Sequence, residues 1–195
     1  RLDFEEHPNR EVLEQIKQKY REVLPEYDAI IFSDYGKGGL SHISDMIDWA
    51  KHAGKTVLID PKGDDYEKYA GATLITPNRA ELKEVVGSWK NESELIEKAQ
   101  NLRRHLDLTA VLLTRSEEGM TLFSEGEPIY QPTRAQEVYD VSGAGDTVIA
   151  GVGLGLAAGY TMPEAMHLAN TAAGVVVAKL GTAVCSFAEL NKALE

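Results

Sequence analysis

The sequence has one cysteine, few aromatic residues and more acidic than basic side chains. Cys185 has no second cysteine to pair with, so an internal disulfide is excluded and a reducing, cytoplasmic environment is expected. The formal net charge is −11, which disfavours a nucleic-acid partner, because such interfaces need clustered Lys and Arg. The longest uncharged stretch, residues 147–163, is too short and too rich in glycine to span a bilayer, so no membrane partner is expected.

The rest of the composition is that of a globular domain. The chain has 195 residues, of which 43% are apolar and 26% charged, enough for one domain with a substantial core. No internal repeat and no linker divides it, so we predict a single domain over residues 1–195. The sequence opens on a charged segment without a methionine, and we expect an N-terminally incomplete part of a longer protein.

Short apolar runs alternate with stretches of helical periodicity along the chain. The runs typical of buried strands are "YDAIIFSD", "KTVLID", "ATLIT" and "TAVLLT". This alternation predicts an α/β fold with a mostly parallel sheet and helices on both faces. A hairpin is expected over residues 119–132, with its turn near Glu125 and Gly126. Two long helices are expected at about 144–159 and 162–180, then a short one from Ser186.

Polar and glycine residues follow each predicted strand or hairpin. The segments are 33–39, 60–65, 76–81, 114–119 and 140–146. In parallel α/β sheets, ligands bind beyond the carboxyl ends of the strands. These segments are therefore where a functional site is expected.

The last of these segments places an acidic side chain at the start of a predicted helix. Gly143, Ala144 and Gly145 leave backbone N–H groups open to an anion. Asp146 has the chemistry to take a proton from a hydroxyl that attacks phosphorus, while the N–H groups meet the charge on the transferred group. The segment alone fits equally well a helix start stabilised by an acid, with glycines needed only for close packing.

The segment after the third predicted strand contains Asn78 and Glu81. Their spacing is close to a capping box at the start of the next helix. At a strand end, the same carboxylate also suits a Mg²⁺-bound water beside nucleotide phosphates. The structural and the functional role are compatible with each other.

The first two segments each contain a lysine among glycines. Lys37 and Lys62 are either ordinary surface lysines or cations for phosphate oxygens, and their equivalent positions favour a phosphate pocket modestly. Asp34 and Asp60 precede them, and each fits a turn cap equally well.

The segment "DVSGAGDTVIAG", from Asp140 to Gly151, fits the second signature of the ribokinase-like (PfkB) carbohydrate kinases, and the chain resembles that family. The resemblance implies a three-layer ribokinase-like fold and phosphoryl transfer from ATP with Mg²⁺. It implies that Asp146 is the general base and that the residues preceding it form the anion hole. It also implies a monovalent cation such as K⁺ beside this hole, at Asp140 and Ser142 with backbone near Gly181.

The resemblance also assigns a nucleotide site. The N-x-x-E motif matches residues 78–81, with Glu81 holding Mg²⁺ through water. The segment "LLTRSEEGM" resembles the strand and loop that meet the nucleotide, and "HLANTAAGVVVAKLGT" resembles the helix beside the adenine. The ATP-binding residues implied in this way are Asn78, Arg79, Ala80, Glu81, Thr114, Arg115, Ser116, Gly119 and Asn170.

Within the family, the sequence is similar to the heptose 7-phosphate kinases of lipopolysaccharide-core synthesis. The similar segments are "RLDFEE", "SDYGKGGL", "IDPKG", "ATLITPNRAEL", "LLTRSEEGM" and "EVYDVSGAGDTV". The similarity implies phosphorylation of the anomeric hydroxyl of D-glycero-β-D-manno-heptose 7-phosphate, giving the 1,7-bisphosphate. It makes Asp34, Lys37 and Lys62 candidates near sugar or ATP phosphate. Another sugar or nucleoside kinase of the family and an inactive fragment stay open as alternatives, as does a homodimer.

The sequence departs from the family pattern at its N-terminal side. The family's first strands, its glycine-pair motif and most of its lid should precede Arg1, and no H-x-G-H motif of nucleotidylyltransferases occurs. The chain is therefore expected to contain the nucleotide half and the base, and to lack much of the sugar half.

Overall fold

Within the described part of the chain, six strands form one sheet, in the same order as in the sequence. The computed structural model describes residues 7–134 and 138–195, so "RLDFEE" and Glu137 of "EVYDVSGAGDTV" lie outside the described residues. The first four strands are parallel, and the last two continue the sheet as an antiparallel hairpin. The strands are β1 (Ala29–Ser33), β2 (Thr56–Asp60), β3 (Leu74–Ile75), β4 (Ala110–Thr114), β5 (Met120–Phe123) and β6 (Ile129–Gln131).

Helices cover both faces of this sheet, because neighbouring strand residues point to opposite sides. On one face, Val57 and Ile59 pack in a core with the first four helices, and on the other Leu58 packs with the next two. The α/β expectation, with a mostly parallel sheet between two helical layers, is confirmed. The helices are α1 (Arg10–Val23), α2 (Ile43–His52), α3 (Arg79–Val86), α4 (Glu92–His105), α5 (Ala144–Ala157), α6 (Met162–Val177) and α7 (Phe187–Leu194).

Helices α5 and α6 approach each other closely through glycines of α5. A Cβ placed on Gly151 would lie 2.9 Å from Cα of Ala169, and one on Gly155 would lie 2.9 Å from Cβ of Ala165. Because real Cβ atoms do not approach that closely, larger residues at these two positions would push the helices apart. The glycines of α5 thus fix where its first turn lies.

Helices α5 and α6 both end earlier than the sequence predicted. Helix α6 ends at Val177, earlier than expected, because the amides of Tyr139 and Asp140 bind the Val177 carbonyl. Helix α5 ends at Ala157, and Gly159 then adopts a left-handed φ of 85°. The hairpin of β5 and β6 has its connection at the expected place. In the described ranges, no helix is long and apolar enough to cross a membrane.

Candidate active site

The carboxyl ends of the parallel strands bring the predicted site segments to one edge of the sheet. Ser33 lies opposite Asp60 in the β1–β2 register, and the Asp34 amide donates to the Asp60 carbonyl at 2.9 Å. Asn78 forms a parallel bridge with Thr114. The loops that follow four separate strands are therefore neighbours, as the rule for parallel sheets predicts.

The glycine-rich turn before α5 has the geometry of an open helix start. Gly143 has φ 78° and ψ 5°, a left-handed conformation that glycine adopts without the strain of a Cβ. The Thr147 amide already closes the first helical bond to the Gly143 carbonyl at 2.9 Å. The amides of Gly145 and Asp146 belong to the first turn, where helix geometry supplies no carbonyl partner.

The Asp146 side chain is exposed at this turn. It borders a cavity of about 410 Å³ together with Gly143, Thr147, Thr182 and Cys185. A carboxylate in this position has room beside it for a substrate hydroxyl. The expected base and anion-hole residues are thus brought together at the open end of α5.

Three further carboxylates lie around Asp60, at the end of β2. Burial raises the pKa of Asp60 to about 6, and the negative charges of Glu81, Asp146 and Asp34 act in the same direction, while Lys62 opposes them. The position of Asp60 links the loops after β1 and β2 to the starts of α3 and α5. This edge of the sheet therefore carries a concentration of negative charge that would attract a cation.

Glu81 is held by the cap of α3. The Asn78 side chain accepts hydrogen bonds from the amides of Ala80 and Glu81 at 2.9 and 3.0 Å, and Oε2 of Glu81 accepts the Asn78 amide at 3.0 Å. The other oxygen, Oε1, lies 3.3 Å from Nζ of Lys62. The capping box is present, and it leaves the second Glu81 oxygen directed toward the lysine.

The residues around Asp60 fit a hydrated Mg²⁺ better than a directly coordinated one. Within the part of the chain that the structure describes, no three His, Cys, Asp or Glu residues lie close enough to hold a metal among themselves. Mg²⁺ usually keeps several waters and binds through one or two carboxylates together with substrate phosphates. Glu81, with one oxygen in the cap, suits such an indirect contact.

Asp34 and Lys37 lie in the loop after β1. Asp34 is only 8% exposed, and its carboxylate accepts from the Gly36 amide, Lys68 and Tyr69 at 2.7 to 2.8 Å. Burial acts to raise the pKa of Asp34, but these hydrogen bonds outweigh it and hold the pKa below its ordinary value. Lys37 borders a second cavity, of about 360 Å³, which Asp34 also lines.

Two predicted nucleotide residues form ion pairs with carboxylates of the same chain. Arg115 is 8% exposed, and its guanidinium binds Glu92 at 2.5 Å and Glu118 at 2.8 Å. The hydrogen bond to Glu92 is the largest of the contributions that raise the pKa of Arg115. Arg79 pairs with the same Glu118. Both arginines support the hairpin loop in this structure, and their contact with ATP stays a prediction.

The remaining nucleotide candidates surround the same hairpin. The Thr114 amide binds the Pro77 carbonyl at 3.0 Å, and Ser116 is exposed with a φ of 53°. A Cβ on Gly119 would overlap the Gln131 carbonyl, so the close approach of β6 requires glycine there. Asn170 is buried in α6 and donates to the Pro132 carbonyl at 2.8 Å, which joins α6 to the residues after β6.

The residues expected at a monovalent-cation site also lie together. Oδ1 of Asp140 accepts the Ser142 amide at 2.8 Å, and Oδ2 accepts the Gly181 amide at 3.1 Å. The hydrogen bonds from Ser142 and Gly181 hold the pKa of Asp140 below its ordinary value. The Asp140 carboxylate thus joins the turn before α5 to the loop after α6.

Sequence reasoning underestimated two residues of this region. Asp60 is the last residue of a strand, and that position was a signal for it, but its spacing to the other carboxylates is a property of the fold. Tyr69 is fully buried, and its hydroxyl binds both Asp34 and the Lys62 backbone. No motif in the sequence indicates the position of Tyr69.

Comparison with solved structures shows the same fold in known kinases. A ribokinase from Arabidopsis thaliana, complexed with ribose and ATP, aligns with a TM-score of 0.79 and 21% identity over 97% of this chain and 60% of that one. Phosphofructokinase-2 from Escherichia coli, in complex with potassium, aligns with a TM-score of 0.82 and 19% identity over 95% of this chain and 62% of that one. At these identities the likeness shows the ribokinase-like fold alone.

Sequence comparison identifies much more similar relatives. A D-beta-D-heptose 7-phosphate kinase from Bordetella bronchiseptica is 51% identical over 190 residues, which are 97% of this chain and 61% of the relative. A bifunctional protein HldE from Chromohalobacter salexigens is 54% identical over 195 residues, all of this chain and 41% of the relative. The chain thus spans 61% and 41% of the length of these two relatives, less than two thirds of each. The family model described as "pfkB family carbohydrate kinase" matches residues 11–188, and the chain belongs to the pfkB family of carbohydrate kinases.

Proposed function

We propose that the chain is the part of an ATP-dependent sugar kinase that carries the catalytic base, and that its substrate is D-glycero-β-D-manno-heptose 7-phosphate. The observation that carries the proposal is the exposed Asp146 at the open start of α5, beside a cavity. The substrate is suggested by the 51% identical relative, which is named a D-beta-D-heptose 7-phosphate kinase. The reaction would yield the 1,7-bisphosphate for lipopolysaccharide-core synthesis.

The chemistry assigns a separate role to each part of the site. The Asp146 carboxylate accepts the proton of the anomeric hydroxyl as its oxygen attacks the γ-phosphorus of ATP, and ADP leaves. The amides of Gly145 and Asp146 donate to the oxygens of the transferred group, where negative charge accumulates. Gly143 and Ala144 shape the turn, and the Ala144 amide, expected to be open, donates instead to the Val141 carbonyl at 3.1 Å. Lys62 and Lys37 supply positive charge near phosphate.

Cations complete the proposed site. Mg²⁺ bound with ATP would neutralise phosphate charge, and Glu81 would hold it through water beside the negative cluster around Asp60. A monovalent cation such as K⁺ is proposed at Asp140 and Ser142, which already lie together with Gly181. A cytoplasmic location belongs to the same proposal, since one cysteine fits a reducing compartment. A homodimer stays an expectation from the family resemblance.

Phosphorylation of a sugar panel by the complete protein tests the substrate. We expect turnover with heptose 7-phosphate and much less with ribose, fructose 6-phosphate or a nucleoside. Turnover with one of the other sugars and none with heptose 7-phosphate would reassign the substrate within the family. Calorimetry with Mg-ATP tests residues 1–195 alone, where no detectable binding would identify this piece as inactive without its neighbouring residues.

A further inference from the structure

The hydroxyl of Tyr69 joins two of the loops that form the site. The ring is fully buried, and the hydroxyl donates to Oδ2 of Asp34 at 2.7 Å. The same oxygen accepts the backbone amide of Lys62 at 3.1 Å. One buried hydroxyl therefore connects the carboxylate after β1 to the backbone after β2.

Asp34 is a firm anchor for this contact. Its carboxylate is also bound by the Gly36 amide at 2.7 Å and by Nζ of Lys68 at 2.8 Å, and its own amide binds the Asp60 carbonyl. A hydrogen bond to a charged and nearly buried acceptor is stronger than one between neutral groups. The Tyr69 hydroxyl is thus fixed on its Asp34 side.

The Lys62 backbone lies between buried Pro61 and exposed Gly63, and its carbonyl is also 3.3 Å from the Tyr69 hydroxyl. The next residue, Gly63, has a φ of 81°, and a Cβ added to it would have nothing within 4 Å. The Lys62 stem passes Gly36, where an added Cβ would lie 3.8 Å from Cγ of the lysine, and Nζ reaches Oε1 of Glu81 at 3.3 Å. The hydrogen bond from its amide to the Tyr69 hydroxyl, at 3.1 Å, is therefore a side-chain contact that helps to fix where the Lys62 side chain begins.

We propose that Tyr69 is a positioning residue, which holds the Lys62 backbone so that its ammonium group stays beside Glu81 and Asp60 at the phosphate-transfer site. This inference rests on the proposed kinase function. Without the hydroxyl, Lys62 keeps its charge but loses its fixed place among the carboxylates. We expect the rate of phosphoryl transfer to fall, because a charged group stabilises the transition state only where it is already held in position.

The test is a double-mutant cycle between Tyr69→Phe and Lys62→Met in the complete protein. We expect Tyr69→Phe to lower kcat/KM about tenfold and Lys62→Met to lower it more, with no further loss when the two are combined. Additive losses would overturn the proposal, because they would show that Tyr69 acts independently of Lys62. Asp34→Asn, which weakens the acceptor of the Tyr69 hydroxyl, replaces Tyr69→Phe if that variant does not fold.

Tyr66→Phe is the matched control. Tyr66 is 2% exposed, its ring packs against Tyr69 at a centroid distance of 5.4 Å, and its hydroxyl has no hydrogen-bond partner among the described residues. Removing that hydroxyl is expected to change kcat/KM less than twofold. An equal loss from both tyrosine variants would contradict a special role for Tyr69.

Hydrogen exchange separates this inference from the proposed function. We expect Tyr69→Phe to speed exchange of the Lys62 amide at least about tenfold, while Tyr66→Phe leaves it unchanged. Unchanged exchange in Tyr69→Phe would overturn the positioning role whatever the enzyme does. If Tyr69→Phe speeds exchange of the Lys62 amide but Asp146→Asn keeps full turnover, the proposed function is wrong and the contact between Tyr69 and Lys62 stands.

Discussion

Nζ of Lys62 lies 3.3 Å from Oε1 of Glu81, at the start of α3. The other Glu81 oxygen accepts the Asn78 amide and closes the helix cap. One carboxylate therefore has a structural role through one oxygen and faces the proposed phosphate site through the other. The two interpretations of N-x-x-E left open by the sequence are compatible in the folded chain.

Glu81→Gln separates the two roles of this carboxylate. Glutamine keeps a carbonyl oxygen for the cap, so the melting temperature should fall by only a few degrees. The lost charge should lower kcat about tenfold or more, since the ion pair with Lys62 and the proposed contact to hydrated Mg²⁺ both need a carboxylate. Steady-state kinetics at saturating Mg-ATP measure the effect.

Glu164→Gln is the matched control, because Glu164 closes the same kind of capping box at the start of α6 and its Oε2 accepts the Thr161 amide at 2.8 Å. It should reproduce the small stability change and leave kcat intact. Equal kinetics in the two variants would show that Glu81 is a cap alone.

Asp146→Asn removes the proposed base and keeps the shape of the side chain. We expect kcat of the complete protein to fall at least about a hundredfold, with little change in the KM for ATP. Asp45→Asn is the control, because Asp45 is also an acid in the first turn of a helix, where it pairs with Lys17. Turnover near the wild-type rate in Asp146→Asn would place the base elsewhere.

Asp60→Asn should make the protein more stable at neutral pH. Because the pKa of Asp60 is about 6 in the fold and 3.8 without it, the folded state binds more protons between these values. Stability therefore falls as pH rises from about 4 to 6 and stays lowered above that range. The gain in melting temperature from Asp60→Asn should be clear at pH 7.5 and small at pH 4.

Asp107→Asn should change the stability at neutral pH in the opposite direction, lowering it, and serves as the comparison. A hydrogen bond from Lys51 holds the pKa of Asp107 below its ordinary value, so its contribution is present at neutral pH and lost as pH falls. Since both partners are on the surface, the loss from this variant should be slight. A flat pH dependence of the Asp60→Asn gain would show that neither burial nor the neighbouring carboxylates raise the pKa of Asp60.

Gly119→Ala should be strongly destabilising. The new Cβ would overlap the Gln131 carbonyl and lie 2.6 Å from the carbonyl carbon of Pro132, at a φ of 97°. We expect a loss of at least about 3 kcal/mol in the free energy of unfolding, measured by urea denaturation. Gly126→Ala has a similar φ of 90° but open space around it, and should cost about 1 kcal/mol. Similar losses in the free energy of unfolding for the two variants would mean that β6 can shift away from residue 119 at little energetic cost.

Sequence patterns predicted the elements well where local chemistry decides them. The apolar run "TAVLLT" became β4, and Asn78 with Glu81 became a capping box. The end of α6 was misplaced, because amides from residues 139 and 140, distant in sequence, bind its last carbonyl. The predicted site residues at the strand ends lie close together, as expected for a parallel sheet. Arg79 and Arg115 pair with the carboxylates of Glu118 and Glu92, and their spacing in the sequence does not indicate these pairs.

The sequence by itself determined the alternation of strands and helices, the open glycine turn before Asp146 and membership of a kinase family. The first two follow from periodicity and from the conformational freedom of glycine, and the third from the family signature that residues 140–151 match. Only the tertiary structure decided that Asp60 lies among three other carboxylates and that Tyr69 holds the Lys62 backbone. Both depend on the distance between separate loops, which is set by strand register and core packing rather than by order along the chain.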